Sequence, residues 1–185
     1  DIIYHELNSF NSNTKNKKID QSLKFKNKIF LKNITFNYGK KIILEDTSLE
    51  IIKNECVGII GESGAGKSTL VDLIVGLQAP NDGEILIDDK SLFNISIDWM
   101  SKIGYISQNI FLIDDTIESN IAFGVSKDQI SVNRLNEVIS QVQLYNFIEE
   151  LPNRLQTKVG ERGVQISGGQ KQRIGIARAL YHNPE

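Results

Sequence analysis

Nine consecutive residues, Gly61-Glu62-Ser63-Gly64-Ala65-Gly66-Lys67-Ser68-Thr69, carry the pattern G-x-x-x-x-G-K-[ST], whose chemistry is the cradling of a triphosphate. Glycine admits positive φ and has no Cβ, so backbone N–H groups can close around phosphate oxygens. A helix that begins at the end of such a loop adds unpaired N–H donors and a partial positive charge. Lys67 is then expected to reach the β- and γ-phosphates, and the Ser68 hydroxyl to enter a Mg²⁺ shell. The residue types and their spacing imply binding of a nucleoside triphosphate with its Mg²⁺.

Such a loop works only between a strand and a helix, and the flanks provide both patterns. Cys56-Val57-Gly58-Ile59-Ile60 is a short apolar run of the kind a buried parallel strand makes, which predicts a buried, inert Cys56 thiol. Leu70, Leu73, Ile74 and Leu77 recur at i, i+3, i+4 and i+7 and predict the helix. Upstream, Phe30, Lys32, Ile34, Phe36 and Tyr38 lie on one side of a period-two pattern, with Leu31, Asn33 and Thr35 on the other. Short strands over Ile42–Glu45 and Ser48–Lys53 are expected to follow. Beyond the helix, Pro80-Asn81-Asp82-Gly83 reads as a turn, Glu84–Asp88 as a strand, the surroundings of Trp99 as a short helix, and Ile103–Ser107 as a strand. After Gln108 the pattern becomes helical. Ser126-Lys127-Asp128-Gln129 has the form of a capping box, followed by the stripe Leu135, Val138, Ile139, Val142, and Pro152 breaks the helix expected to end near Leu151. A last helix is expected from Gly168 or Gly169, carrying Ile174, Ala177 and Tyr181 on one face.

Composition sets the outer bounds. A chain of 185 residues suits one domain, or a domain with an inserted subdomain, and should bury about 70% of its unfolded surface. A formal charge of −2 offers no basic face for nucleic acid. One cysteine excludes an internal disulfide and a four-thiolate zinc site. No apolar run approaches the length of a membrane span, and the start at Asp1, without methionine, suggests a segment of something longer. Residues Asn8–Gln21 read as a linker, and seven lysines against Asp20 between Lys15 and Lys32 suit either a solvated stretch or anionic headgroups.

A second glycine-bearing stretch lies about a hundred residues downstream: Ile166-Ser167-Gly168-Gly169-Gln170-Lys171-Gln172-Arg173. Following a phosphate loop at this distance, it resembles the signature sequence of ATP-binding-cassette (ABC) proteins, LSGGQ, with Ile166 in place of leucine. Other segments are similar to that family in the same order. Tyr38 resembles the aromatic residue that stacks on adenine. Gln108, in Gly104-Tyr105-Ile106-Ser107-Gln108, resembles the glutamine that contacts Mg²⁺ and the transport domain. Thr116-Ile117-Glu118-Ser119-Asn120-Ile121 resembles the first helical-subdomain segment of exporters, and Thr157-Lys158-Val159-Gly160-Glu161-Arg162-Gly163 the loop that meets the membrane domain. The resemblance covers about Leu31 to Glu185, and bacterial flippases of lipid-linked oligosaccharides are the nearest group in texture.

What this implies is specific. The fold is α/β: a phosphate-loop NTPase core of ABC type with an antiparallel β subdomain and an inserted helical subdomain at about 109–170, truncated before the Walker B strand. Residues 1–28 would be a linker from an upstream membrane domain, and 29–185 the nucleotide-binding domain. ATP and Mg²⁺ would be held by Tyr38, Gly61, Glu62, Ser63, Gly64, Ala65, Gly66, Lys67, Ser68 and Thr69. Ser167, Gly168, Gly169 and Gln170 would reach the ATP of a partner protomer in a head-to-tail homodimer. Lys67 and Gln108 are the catalytic candidates, with Ser68 and Gln108 as metal ligands. Gln108 and Thr157–Gly163 would meet a transmembrane domain, on the cytoplasmic face of the cell membrane. The Mg²⁺-binding Asp, the general-base Glu and the switch His of the family fall beyond Glu185, and His5 and His182 are misplaced for the last. Little or no ATPase activity is therefore expected of this segment alone.

Two stretches imitate the missing metal strand, Ile85-Leu86-Ile87-Asp88-Asp89 and Phe111-Leu112-Ile113-Asp114-Asp115. Both precede the signature, and the first is expected to be a solvent-facing hairpin. The function implied is that of an exporter ATPase domain moving a lipid-linked or amphipathic substrate. An ABC ATPase acting on nucleic acid or ribosomes would need basic surfaces and long insertions, and a small-molecule kinase would leave the Ser-Gly-Gly-Gln stretch unexplained.

Overall fold

The computed structural model describes residues 24–160 and 166–185, so the expectations for residues 1–23 and for Glu161, Arg162 and Gly163 lie outside the described residues. The chain divides into two compact units, Asp1–Trp99 and Met100–Glu185.

In the first unit β1 (Lys28–Tyr38) and β2 (Lys41–Ile52) form a long hairpin, joined by β3 (Asp82–Ile87) and β4 (Lys90–Ser91) in the order β2-β1-β3-β4. All its pairings are antiparallel. The inward set of β1 is Ile29, Leu31, Ile34 and Phe36, not the simple alternation expected from Phe30 to Tyr38. The reason is a bulge. Asn33 takes φ +50, the pairing register breaks between Leu31 and Ile34, and one inserted residue exchanges the two faces of a strand. Asn33 Nδ2 donates to Asp46 Oδ1 (2.6 Å), and its backbone N–H to Ser48 Oγ (3.0 Å). The expected gap between Glu45 and Ser48 is the other side of this bulge, and β2 runs through it.

Helix α1 (Lys67–Val75) buries Leu73 and Val75 and stops at Gly76, whose φ of +89 lets its N–H reach the carbonyls of Asp72 and Leu73. Leu77, placed on the buried stripe from the sequence, lies past this stop and is exposed. Helix α2 (Leu92–Met100) brings Trp99 against the end of α1, where its Nε1–H donates to the Ile74 carbonyl (2.8 Å) and its ring meets Phe25 edge-on.

Two expected strands are absent. Neither Cys56–Ile60 nor Ile103–Ser107 pairs in a ladder, because a parallel strand needs a neighbour about 4.8 Å away and among the described residues neither has one. Cys56, expected to be buried, is exposed, as are Val57 and Ile60.

The second unit is helical: α3 (Ile117–Ile121), α4 (Val132–Gln141), α5 (Tyr145–Glu149) and α6 (Gly168–Tyr181), with single 3₁₀ turns at Lys127–Gln129 and Arg154–Gln156. Its core joins Leu112, Ile117 and Ile121 to Leu135, Val138 and Ile139, with Ile174 and Ala177 of α6 among them. Ser126 makes no side-chain cap and starts only a 3₁₀ turn. The cap of α4 is Ser131, whose Oγ accepts the Arg134 N–H (3.3 Å), one turn before the apolar stripe. The helix expected to run to Leu151 is divided at Gln143, where φ is +56 and Leu144 turns fully into the core.

Candidate nucleotide site

The phosphate loop stands open. Gly61 to Ala65 are exposed and Gly66 is the N-cap of α1, with φ +87 and no side-chain cap. A helix start leaves its first amides without an i−4 carbonyl, so those of Lys67, Ser68 and Thr69 point out of the helix end. Gly66 must be glycine on two counts. Its φ is left-handed, and a Cβ there would come within 2.8 Å of Ile43 Cγ2 on β2. The hairpin and the phosphate loop therefore meet backbone to side chain. Lys67 Nζ lies back across the loop, donating to the carbonyls of Gly61 (2.9 Å) and Glu62 (2.6 Å). Ser68 is exposed and Thr69 buried, so the hydroxyl available at the surface is that of Ser68.

Tyr38 ends β1 beside the Gly39-Lys40 turn. It is half-exposed and stands edge-on to Phe36, with ring centroids 4.9 Å apart, which leaves a ring face for an aromatic ligand. Asp88 has a different occupation. Its carboxylate accepts the backbone N–H groups of Lys26, Asn27 (2.7 Å) and Lys28 (2.9 Å). Burial pushes its pKa up, but these three bonds, with Lys53 nearby, outweigh burial and hold it below the usual carboxylate value. β3, which delivers Asp88, is antiparallel to both its neighbours and so is not the strand of a metal-binding carboxylate.

In the helical unit Gln108 is exposed at a bend that Ser107 Oγ closes by donating to the Asn109 carbonyl (2.9 Å). Asp114 and Asp115 sit in no strand. Asp115 accepts the Thr116 N–H (2.7 Å); that bond lowers its pKa against desolvation, helped by Lys127, Ser119 and Lys158. Thr116 in turn caps α3 by accepting the Ser119 N–H. The Thr157–Gly160 stretch pairs with this turn through Ile117 N–H to Thr157 O (3.0 Å) and Val159 N–H to Asp115 O (2.9 Å).

Ser167 caps α6 in a complete capping box. Its Oγ accepts the Gln170 N–H (3.2 Å), and its own N–H donates to Gln170 Oε1 (2.8 Å). Gln170, expected to touch nucleotide, is thus engaged with the cap through its Oε1. What remains outward is the Ser167 hydroxyl proton and the amides of Gly168 and Gly169. Both glycines are exposed, and a Cβ on either would meet nothing within 4 Å.

Two residues of this unit had no role in the sequence expectations beyond their place in a segment. Asn120 is fully buried. Its Nδ2 donates to the carbonyls of Ile113 (3.1 Å) and Thr116 (3.0 Å), and its Oδ1 accepts the Ile113 N–H (3.0 Å). Arg178, on α6, donates from Nε to Asn120 O (2.8 Å), from Nη2 to Asn120 Oδ1 (3.0 Å) and from Nη1 to Phe111 O (2.9 Å). Burial lowers the guanidinium pKa from its ordinary value, and it stays charged at neutral pH. The sequence signal was an Arg set among Ile176, Ala177, Ala179 and Leu180, and an Asn followed by Ile121 and Ala122.

The loop fits a Mg²⁺-bound triphosphate: outward amides, a lysine that can trade backbone carbonyls for phosphate oxygens, and a surface serine hydroxyl. No group of three or more His, Cys, Asp or Glu that could hold a metal occurs among the described residues, and Mg²⁺ carried on phosphates needs only one or two protein ligands. No helix among the described residues is long and apolar enough to cross a membrane.

Comparison with known proteins agrees with this geometry. Residues 44–185 match the family model described as ABC transporter. The chain is 41% identical over 165 residues to ABC transporter B family member 15 of Arabidopsis thaliana, covering 87% of this chain and 13% of that protein. It is 35% identical over 156 residues to the ATP-dependent lipid A-core flippase of Francisella tularensis, covering 84% of this chain and 26% of the flippase. A solved structure of a bacterial Atm1-family ABC exporter with ATP bound superposes with a TM-score of 0.79 at 36% identity, over 88% of this chain and 29% of the exporter. The chain therefore spans less than a third of each of these relatives. It belongs to the ABC transporter family, as an ATP-binding domain of the exporter type.

Proposed function

We propose that this chain binds and hydrolyses ATP within an ABC exporter, and that it does so as one half of a head-to-tail pair. The observation that carries this reading is the presence, in one chain, of two outward-facing helix starts of unequal kind: the lysine-bearing loop at Gly61–Thr69 and the capped Ser167–Gln170 turn. The first binds. Lys67 would leave the Gly61 and Glu62 carbonyls for the β- and γ-phosphate oxygens, and Tyr38 would stack on the adenine. The second completes. Ser167 Oγ donates its proton, and the Gly168 and Gly169 amides point, at the γ-phosphate held by the other protomer.

Mg²⁺ would be held by Ser68 and Gln108, and when bound it would supply neutralisation of the triphosphate charge. Each charge-assisted bond from the signature contributes about 1.5–3 kcal/mol, so loss of the γ-phosphate weakens the pair enough to reopen it. Coupling to a transmembrane domain would run through Gln108 and the Thr157–Gly163 loop. The names of the relatives support export, and the flippase among them favours a lipid-linked or amphipathic cargo; such a domain would lie on the cytoplasmic face of the membrane. The names of these relatives are those of a transporter, a flippase and an exporter, and they give no support to an ABC ATPase acting on nucleic acid or ribosomes.

The test is ATP-dependent dimerisation of the full-length protein, followed by phosphate release. Dimers that need ATP, and that fail to form in Ser167→Arg, support the reading; ATP turnover by a strictly monomeric protein would refute it.

A further inference from the structure

The signature turn and Gln108 sit at the two ends of a continuous set of contacts inside the helical unit. Two residues after Gln108, Ile110 lies directly on α6: a Cβ at Gly175 would come 2.3 Å from Ile110 Cδ1. Three residues further along α6, Arg178 makes its three bonds to the carbonyls of Phe111 and Asn120 and to Asn120 Oδ1. Asn120 then fixes both sides of the loop it closes, at Ile113 and Thr116. The Phe123 ring covers the guanidinium at 5.2 Å. At its far end α6 is held again, by Arg134 Nε on the Tyr181 carbonyl (3.2 Å) and Arg134 Nη2 on that of Leu180. A planar fork that meets three fixed acceptors defines an orientation, which a single ammonium cannot.

We propose that Arg178 is a positioning residue that makes α6 and the Gln108–Asn120 stretch one rigid body, so that a displacement of the Ser167–Gln170 turn by nucleotide is carried to Gln108 undiminished. This rests on the reading that Ser167 and Gly169 meet a phosphate of the partner protomer. Closure around the partner's ATP would then be felt at Gln108 of the same protomer. The Gly175–Ile110 contact is the second fastening of the same body, which gives the proposal an independent handle.

The experiment uses the full-length protein with native cysteines replaced, Cys56→Ser included, and spin labels at Asn109 and Lys171, both exposed positions. The distance between the labels should be narrow and unchanged by ATP. In Arg178→Lys, which keeps the charge and loses the fork, it should broaden, and kcat should fall about tenfold or more while KM for ATP stays within about twofold. A role confined to stability would lower the melting temperature and leave the kcat of the folded fraction intact.

If Arg178→Lys does not fold, Gly175→Ala serves instead: it should lower kcat alone and recover when combined with Ile110→Ala, which makes room for the methyl group. An ATP-dependent shift of the label distance in the wild type overturns the proposal. So does undiminished kcat in Arg178→Lys or Gly175→Ala, or failure of the double variant to recover. The underlying reading fails separately: it falls if Ser167→Ala hydrolyses ATP normally, whatever happens at Arg178.

Discussion

The two glycine-bearing helix starts differ in how much of their hydrogen bonding they satisfy themselves. At α1 the N-cap is a left-handed glycine that offers no side chain, the first amides have only an outside ligand to turn to, and a lysine lies across the loop. At α6 a serine and a glutamine cap each other reciprocally, and two glycine amides and one hydroxyl proton remain, with no cation among Ile166–Gln170. The first is built to hold a triphosphate without help. The second is too nearly self-sufficient to capture one, and is suited to contacting a γ-phosphate already held elsewhere. This asymmetry is the physical basis for assigning them to different protomers.

The largest effect should come from breaking the first. Lys67→Ala removes the one side-chain cation of the loop, and phosphate release by the full-length protein should fall about 100-fold or more. Near-normal turnover would mean that the two starts had been assigned the wrong roles. Breaking the second should cost less. Ser167→Ala loses one charge-assisted bond, so kcat should fall about tenfold to a hundredfold, while ATP binding to the isolated protomer, measured by calorimetry, is unchanged.

A third variant separates capping from chemistry. Ser131→Ala removes an ordinary cap from α4 and should lower stability by about 1 kcal/mol, read from urea unfolding, with no change in ATP turnover. If Ser167→Ala behaves no differently, the signature serine is only a cap. The smallest effect belongs to Asp88, which imitates a metal-binding carboxylate. Asp88→Asn should reduce stability by about 1 kcal/mol, because the clasp is partly screened by solvent, and should leave Mg-ATP affinity unaltered. The Asp88 pKa is depressed in the folded chain, so its contribution is complete above the ordinary value of 3.8 and is lost as the pH falls below it. The stability difference between Asp88→Asn and wild type should therefore be constant near neutrality and close below that pH.

Local structure was legible in the sequence wherever the signal and its consequence lie within one turn of chain. The phosphate loop, the start of α6 and the stripe from Leu135 to Val142 are of this kind, since glycine placement, capping and periodicity act over a few residues. Elements that depend on distant partners were read less well. The alternation of β1 failed at Asn33 because the bulge is fixed by Asp46 and Ser48 across the hairpin. Cys56–Ile60 has the composition of a buried strand, but a parallel strand exists only beside its neighbours, and Cys56 is exposed. Ser126 carries the capping-box pattern but starts only a 3₁₀ turn, while α4 is capped by Ser131, which has no Glu or Gln three residues on. The Arg178–Asn120 junction was invisible because 58 residues separate its two halves.

The head-to-tail claim is tested most directly by mixed dimers, counting per dimer the nucleotide trapped between protomers, which does not exchange, and not the ATP that a lone phosphate loop binds reversibly. If each ATP is gripped by one protomer and completed by the other, pairing a Lys67→Ala protomer with a Ser167→Arg protomer leaves one intact site, and one nucleotide is retained. Placing both substitutions in one protomer opposite a wild-type partner leaves none. The reverse pattern, with retention only when both changes share a protomer, would show each site to be complete within a single chain and would contradict the account.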